Sequence, residues 1–118
     1  MKLAFVFRTA PHGSSIAREG LDALLAATAF CNEDEIGVFF LDDGILNLIP
    51  NQNPEVILQK DFTAAFKLLD LYEIENRFVC EESAQYAFIE AQSIIDVEPL
   101  SYQQWLSQLQ KAEKIFTF

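Results

Sequence analysis

The start of the chain has the order strand, loop, helix and strand, and this order limits the fold more than any other feature. Residues 3–7 form a short apolar run, and residues 16 to about 30 have helical spacing. A second apolar run at residues 36–41 ends in the polar turn 42–44. Two apolar runs joined by a helix are typical of a parallel βαβ unit, which needs a crossover of this length. The sequence therefore predicts an α/β domain.

The rest of the chain continues this alternation. A short helix or turn is predicted at residues 45–49, and further strands are predicted at residues 77–80, 94–97 and 114–118. Further helices are predicted from Asn53-Pro54 onward, over residues 62–69, over residues 81–89 and after a capping box at Ser101. In the last helix, the spacing predicts that Tyr102, Leu106 and Leu109 face inward.

Five strands separated by helices predict a single small flavodoxin-like domain over residues 1–118. We expect a mostly parallel five-stranded sheet with helices on both faces and the first strand at its centre. The 11 phenylalanines either fill an aromatic core or exceed it, in which case the surplus rings mark a partner surface.

Charge and cysteine content exclude several classes of function. The chain has 8 Lys and Arg against 18 Asp and Glu, a net charge of −10, so direct binding to nucleic acid or anionic membrane is not expected. Cys31 and Cys80 are far apart and form no CxxC motif, so neither a disulfide framework nor a metal site is predicted. The apolar run after Lys2 is too short for a signal peptide, and no run approaches the roughly 18 residues of a membrane span. A cytoplasmic protein is expected.

Three segments that follow strands should meet at one edge of the sheet, where open α/β sheets form their sites. They are residues 8–15, 42–44 and 80–83. The first segment precedes a helix, as a phosphate-binding loop does, but it lacks the glycine pattern of such loops and keeps only Gly13. No bound cofactor is therefore expected.

The polar residues of the first two segments each have two interpretations. His12 is either a general base, because histidine titrates near neutral pH, or a turn or interface residue. Asp42 and Asp43 either hold Mg²⁺ or act as acid and base, or they cap the turn at Gly44 and the short helix after it. The second interpretation is favoured for His12 because a lone histidine beside Pro and Gly is more often a turn or interface residue. It is favoured for the two aspartates because no third carboxylate or hydroxyl completes a phosphoryl-transfer set.

Cys80 is the main candidate for chemistry because it ends a predicted strand just before a helix. The amino end of a helix stabilises a thiolate, which is the nucleophile in sulfur transfer. However, Glu81 and Glu82 follow directly, and negative charge in that turn opposes a thiolate. No catalytic residue is therefore expected, with Cys80 and then His12 as the only candidates. Cys31 is expected to be a small buried apolar residue.

Two stretches resemble a known family. They are Thr-Ala-Pro-His-Gly at residues 9–13 and Arg-Glu-Gly-Leu-Asp-Ala-Leu-Leu-Ala at residues 18–26. Together with residues 4–7, 38–40, 43–44 and 66–69, they are similar to the DsrF-like members of the DsrE/DsrF/DsrH family of sulfur-relay proteins. The resemblance extends from the first strand to Phe118, and it implies a small flavodoxin-like fold.

The resemblance also implies partners and a role. It implies a hetero-oligomer with TusB-like and TusD-like subunits, of which a dimer of heterotrimers is one form. Such a complex passes persulfide sulfur from a donor protein to an acceptor protein for 2-thiolation of the wobble uridine of tRNA. In this family the sulfur-carrying cysteine belongs to the TusD-like subunit, where small residues and then Arg-Arg-Gly follow it. Here Glu81 and Glu82 follow Cys80, so the resemblance implies that Cys80 is not required.

Three functions therefore remain in competition. The favoured one is a non-catalytic, structural subunit of a sulfurtransferase complex. The second is a sulfur carrier in its own right, through a persulfide on Cys80. The third is a flavodoxin-like domain that binds a small ligand.

Overall fold

The computed structural model describes residues 1–49, 62–87 and 93–118. These residues contain five strands, four α-helices and three segments of 3₁₀-helix. The strands are β1 (Leu3–Phe7), β2 (Ile36–Phe40), β3 (Asn76–Cys80), β4 (Glu98–Leu100) and β5 (Lys114–Thr117). The α-helices are α1 (Ile16–Ala27), α2 (Leu68–Leu71), α3 (Glu81–Ala87) and α4 (Tyr102–Leu109). The 3₁₀ segments are Glu33–Glu35, Asp42–Leu48 and Phe62–Lys67.

The five strands form one sheet in the order β4-β3-β2-β1-β5, and every neighbouring pair is parallel. This confirms the predicted α/β class. The prediction that the first strand is central is wrong, because β2 is at the centre and β1 lies between β2 and β5. From β1 to β4, each strand lies next to the one before it, always on the same side. β5 instead lies on the other side of β1. The strand order therefore reverses between β1 and β5, next to the end of β1.

The fourth strand is not where the sequence predicted it. Residues 94–97 were expected to form a strand, but β4 is Glu98–Leu100 and includes Pro99. Proline is tolerated there because β4 lies at the edge of the sheet, where one side of the strand needs no hydrogen-bond partner. Ile95 is instead a buried core residue, 4% exposed, which explains its apolar character without strand pairing.

Side chains alternate between the two faces of the sheet and form two cores. Phe5, Phe7, Val38 and Phe40 belong to the larger core, which also includes the buried leucines of α1. Apolar residues of the Asp42–Leu48 segment complete that core. The smaller core, on the opposite face, consists of Val6, Phe39, Phe78, Cys80 and Trp105. Helices therefore cover both faces, as predicted, with α1 on one and α4 on the other.

The inward face of α4 is centred on a different residue from the one predicted. Trp105 is 2% exposed and packs edge-on against Phe39, with ring centroids 5.6 Å apart. Tyr102, which was predicted to face inward, is 47% exposed. Leu106 and Leu109 pack against the smaller core, as predicted. Burying the largest ring turns the helix so that Tyr102 lies at the margin of the contact. The predicted capping box is present, because the Ser101 hydroxyl accepts a hydrogen bond from the Gln104 amide.

Two further helix predictions differ in detail or lie outside the described residues. The helix predicted at residues 62–69 begins as 3₁₀-helix and becomes α-helical only at Leu68. The helix predicted from Asn53-Pro54 lies outside the described residues, and so does the end of the helix predicted at 81–89.

Candidate functional site

The ends of β1, β2 and β3 meet at the carboxyl edge of the sheet, as the sequence predicted. Arg8 follows β1, and its guanidinium lies 3.1 Å from the carboxylate of Asp42, which follows β2. The backbone amide of Asp42 donates to the hydroxyl of Ser83 in α3, at 3.2 Å. Asp42 thus joins the three segments. The side chains of Arg8 and Asp42 are both more than half exposed, so this ion pair contributes little to stability.

Asp42 and Asp43 form the first turn of the 3₁₀ segment that follows β2. Asp42 has a φ of +51°, in the left-handed region that aspartate enters more readily than most residues. Within the described residues, no three His, Cys, Asp or Glu side chains are grouped to hold a metal ion. The expectation that these aspartates cap the segment is wrong, because its N-cap residue is Leu41 and no side chain forms a cap hydrogen bond; the Asp42 carboxylate is instead paired with Arg8.

Gly44 allows this 3₁₀ segment to lie directly against the end of β1. A Cβ atom at this position would be 1.8 Å from the carbonyl oxygen of Phe7. Three residues later, the fully buried Asn47 donates from its amide nitrogen to the carbonyl oxygens of Gly44, at 2.8 Å, and Thr9, at 3.0 Å. Asn47 therefore fixes the start of the loop that contains His12. Sequence reasoning did not single out Asn47, although a lone amide inside the apolar run 45–49 was a usable signal.

His12 lies on the surface of this loop. Its side chain is exposed, and it forms no hydrogen bond or ion pair with any residue in the described part of the chain. Gly13 beside it has a φ of +93°. At the end of the loop, the hydroxyl of Ser14 accepts a hydrogen bond from the amide of Ile16. This places His12 in a turn before α1, with no neighbour among the described residues that orients its imidazole.

Cys80 is the last residue of β3 and is 2% exposed. Its sulfur lies 3.3 Å from a carboxylate oxygen of Glu82, and that oxygen also accepts the backbone amide of Tyr102 at 3.0 Å. Since an ionised carboxylate only accepts hydrogen bonds, the thiol is the donor. Cys80 thus lies in a hydrogen-bonded cluster that connects the start of α3 with the start of α4.

Hydrogen bonds set the ionisation of Glu82. Its own backbone amide, the Cys80 thiol and the Tyr102 amide all lower the pKa of this carboxyl group below its ordinary value, outweighing the opposite effect of burial. The favoured state of Glu82 is therefore a carboxylate, which accepts the hydrogen bond from the Cys80 thiol. Cys31 lies far from this edge, after α1, and is partly buried in contact with the larger core.

A family model and several named proteins match the chain over its whole length. The model described as the DsrE/DsrF-like family matches residues 1–118. The chain is 56% identical over 119 residues to a protein named "Protein TusC homolog" from Haemophilus influenzae, covering 100% of both chains. The chain belongs to the DsrE/DsrF-like family. A protein of the same name from Pasteurella multocida is also 56% identical over 119 residues, again with 100% of both chains covered. "Protein TusC" from Klebsiella pneumoniae is 43% identical over 119 residues, covering 99% of this chain and 98% of that protein.

A solved structure shows the same fold. The crystal structure of ychN protein from E. coli superposes with a TM-score of 0.78, covering 100% of this chain and 99% of that one. Its sequence identity is 18%, so the likeness concerns the fold alone. The family model and the named relatives confirm the resemblance that the sequence stretches indicated.

Those stretches have structural roles in this DsrE/DsrF-like chain. In the stretch at residues 18–26, a Cβ atom on Gly20 would lie 2.6 Å from the ring of Phe118. The backbone of Phe118 accepts from the Arg8 amide at 2.7 Å and donates to the Val6 carbonyl at 2.8 Å. Gly20 therefore makes room for the last residue against α1. In the stretch at residues 9–13, the Thr9 carbonyl is held by Asn47.

The net charge is −10. Among the described residues, no helix is both long and apolar enough to cross a membrane.

Proposed function

We propose that this DsrE/DsrF-like chain is a structural, non-catalytic subunit of a sulfur-relay hetero-oligomer. Its partners are TusB-like and TusD-like subunits, and the TusB-TusC-TusD-like complex relays persulfide sulfur for 2-thiolation of the wobble uridine of tRNA. The sulfur donor and acceptor proteins interact with this chain through the complex. Sequence identities of 56% and 43% over 119 residues to proteins named TusC homolog and TusC support the proposal. A cytoplasmic location follows from the proposal, because tRNA is the final substrate.

The state of Cys80 is the observation that supports a structural role. A relay cysteine has to ionise, attack a partner's persulfide and expose its own sulfur to the next protein. Cys80 is 2% exposed, and its thiol donates to Glu82. The described ion pairs of Arg8 and Arg77 are with Asp42 and Asp70, so neither guanidinium is paired at this thiol. The sulfur is therefore buried and its hydrogen is held by a carboxylate, an arrangement that fits a packed side chain better than an exposed sulfur carrier.

Co-expression tests membership of the complex. We expect the chain to purify with its TusB-like and TusD-like partners as one assembly of fixed stoichiometry, measured by size-exclusion chromatography with light scattering. As a control for aggregation, the three chains are expressed separately and then mixed. A stable monomer that remains separate from both partners would contradict the proposal.

Sulfur loading tests the role of Cys80. When the assembled complex is incubated with a persulfide donor, intact-mass spectrometry should show the added sulfur, about 32 Da, on the TusD-like subunit and not on this chain. Cys31→Ser and Cys80→Ser variants assign any adduct to one cysteine. An adduct on this chain that Cys80→Ser removes would favour the sulfur-carrier alternative.

The ligand-binding alternative has a separate test. We expect the purified complex to have no flavin absorbance and to release no nucleotide when it is denatured. A stoichiometric flavin or nucleotide in the released fraction would favour the third function instead.

A further inference from the structure

Two adjoining hollows lie at the amino ends of β2 and β3, on the edge of the sheet opposite the candidate site. One has a volume of about 300 Å³ and lies between the end of α1 and the turn after α2, where Cys31, Leu71 and Tyr72 line it. The other has a volume of about 460 Å³ and is lined by acidic residues and Asn76. Glu33 and Glu73 line both hollows, so the two form one continuous surface. We call this surface the amino-edge groove.

Large apolar side chains lie unburied at this groove. Leu71 is 71% exposed and Tyr72 is 46% exposed, and both line the smaller hollow. Phe30, directly before Cys31 in the chain, is 89% exposed. Single exposed apolar residues are ordinary, but two that line one concave surface, with a third next to it in the chain, are typical of a place where another chain binds.

The charge of the groove has one sign. Four carboxylates line the larger hollow, those of Glu33, Asp34, Glu73 and Glu75, and no Lys or Arg lines either hollow. The ion pairs formed within the described residues join other groups: Lys2 with Glu35, Arg8 with Asp42, and Arg77 with Asp70. The four carboxylates therefore have no internal counter-ion among the described residues, and a cationic partner would gain from contact with them.

We propose that the amino-edge groove binds a basic amphipathic segment of a partner protein, with apolar side chains on one face and Lys or Arg on the other. The apolar face would cover Leu71 and Tyr72. The aliphatic stems of Lys or Arg can lie along the same surface while their charged ends reach the carboxylates, and the ring of Tyr72 adds a cation–π contact. This proposal is independent of the sulfur-relay role.

The same observations disfavour the other occupants. A second copy of this chain has a net charge of −10, and nucleic acid is an anion, so both are repelled by the four carboxylates. Within the described residues no group of three potential ligands is arranged for a metal ion. A short basic segment satisfies both the apolar and the acidic parts of the groove.

A matched pair of synthetic peptides tests the proposal on the full chain. One is an amphipathic helix of Leu and Lys, and the other has the same pattern with Glu in place of every Lys. We expect fluorescence anisotropy to show binding of the Lys peptide only, with an affinity that falls as salt is added. Bound Lys peptide should also slow the alkylation of Cys31, which lines the groove. Equal binding of both peptides, or of neither, would overturn the proposal.

Charge-reversed variants locate the binding surface. The double variant Glu33→Lys with Glu73→Lys should weaken Lys-peptide binding by about tenfold or more. The control double variant is Glu19→Lys with Asp43→Lys. It makes the same change in net charge, but at exposed residues outside the groove. Its affinity for the Lys peptide should fall much less. Equal losses in the two variants would mean that only the overall charge matters, and would overturn the proposal. If the wild-type chain is a dimer and Leu71→Glu makes it a monomer, the groove binds a second copy of this chain. That result would also overturn the proposal.

Discussion

Gly44 is required by its distance from main-chain atoms that cannot move aside. A Cβ atom there would lie 1.8 Å from the Phe7 carbonyl oxygen, and Leu41 donates its amide to that same oxygen. Any side chain at this position therefore separates the 3₁₀ segment from β1. Because that segment holds the loop through Asn47, the effect would spread to the carboxyl edge.

We predict that Gly44→Ala destabilises the chain by about 3 kcal/mol, measured by urea unfolding. Gly13→Ala provides the control. Gly13 has a φ of +93°, and a Cβ atom added to it would have no other atom within 4 Å, so alanine there meets backbone strain alone. That strain should cost only about 1 kcal/mol. Equal costs for the two substitutions would show that the contact with Phe7 is not the cause.

Glu82 gives the stability a specific dependence on pH. Folding lowers the pKa of this carboxyl group below its ordinary value of 4.5. The stabilisation is therefore fully present above that value, and it is lost as the pH falls through the lower pKa of the folded state. The partners responsible are its own backbone amide, the Cys80 thiol and the Tyr102 amide.

We predict that Glu82→Gln lowers the free energy of unfolding at pH 7 and that the difference from wild type shrinks as the pH falls below the ordinary value of 4.5. Glu81→Gln is the matched control, because the side chain of Glu81 is exposed and accepts no hydrogen bond from another described residue. Urea unfolding across this pH range measures both differences. A difference for Glu82→Gln that does not change with pH would contradict the assigned hydrogen bonds.

Helix α4 is held to the sheet chiefly by one ring. Trp105 packs against Phe39 and, at the surface, stacks with Tyr102 at a centroid distance of 6.2 Å. Its indole N–H is buried without a hydrogen-bond partner among the described residues. The packing of the ring therefore stabilises the helix, while the polar atom adds a cost.

We predict that Trp105→Ala destabilises the chain by about 4 kcal/mol, whereas Trp105→Phe costs less than about 1.5 kcal/mol. The smaller cost is expected because phenylalanine keeps an aromatic contact and removes the unpaired N–H. Unfolding followed by circular dichroism compares the two variants. Similar losses for both would show that the indole N–H has a partner that stabilises the fold.

The elements differ in how far their sequences determine them. β1, β2 and β3 could be predicted closely because a parallel strand buried on both faces is a short apolar run bounded by polar turns. β4 could not, because its pairing depends on an edge position that tolerates Pro99, while the apolar residue Ile95 serves the core. The place of β1 in the sheet was also missed, since strand order is decided by crossovers and not by local pattern.

The candidate site was partly predictable for the same reason. The meeting of Arg8, Asp42 and Ser83 follows from parallel topology, which brings successive strand ends to one edge. The hydrogen bond between Cys80 and Glu82 was not foreseen. Sequence reasoning used Glu82 as a repulsive charge, whereas the structure also makes it the acceptor of the thiol proton. The role of Asn47 depends on a contact across 38 residues and left only a weak local signal.

The two edges of the sheet differ across the molecule as a whole. At the carboxyl edge, polar groups are paired with one another, through Arg8 with Asp42 and Cys80 with Glu82. At the amino edge, the carboxylates of the groove have no described counter-ion, and apolar side chains remain exposed. The amino edge is therefore the side of the sheet where the described residues leave both charge and apolar surface available to a partner.

The 2-thiouridine content of tRNA, in cells that lack the wild-type gene, tests this structural role most directly. Serine at position 80 keeps a hydroxyl donor for Glu82 but cannot carry a persulfide. We predict that Cys80→Ser restores thiolation to the wild-type level, whereas an empty vector leaves it low because the complex does not assemble. Loss of thiolation in cells where Cys80→Ser still assembles with both partners would contradict the structural role and make Cys80 part of the relay.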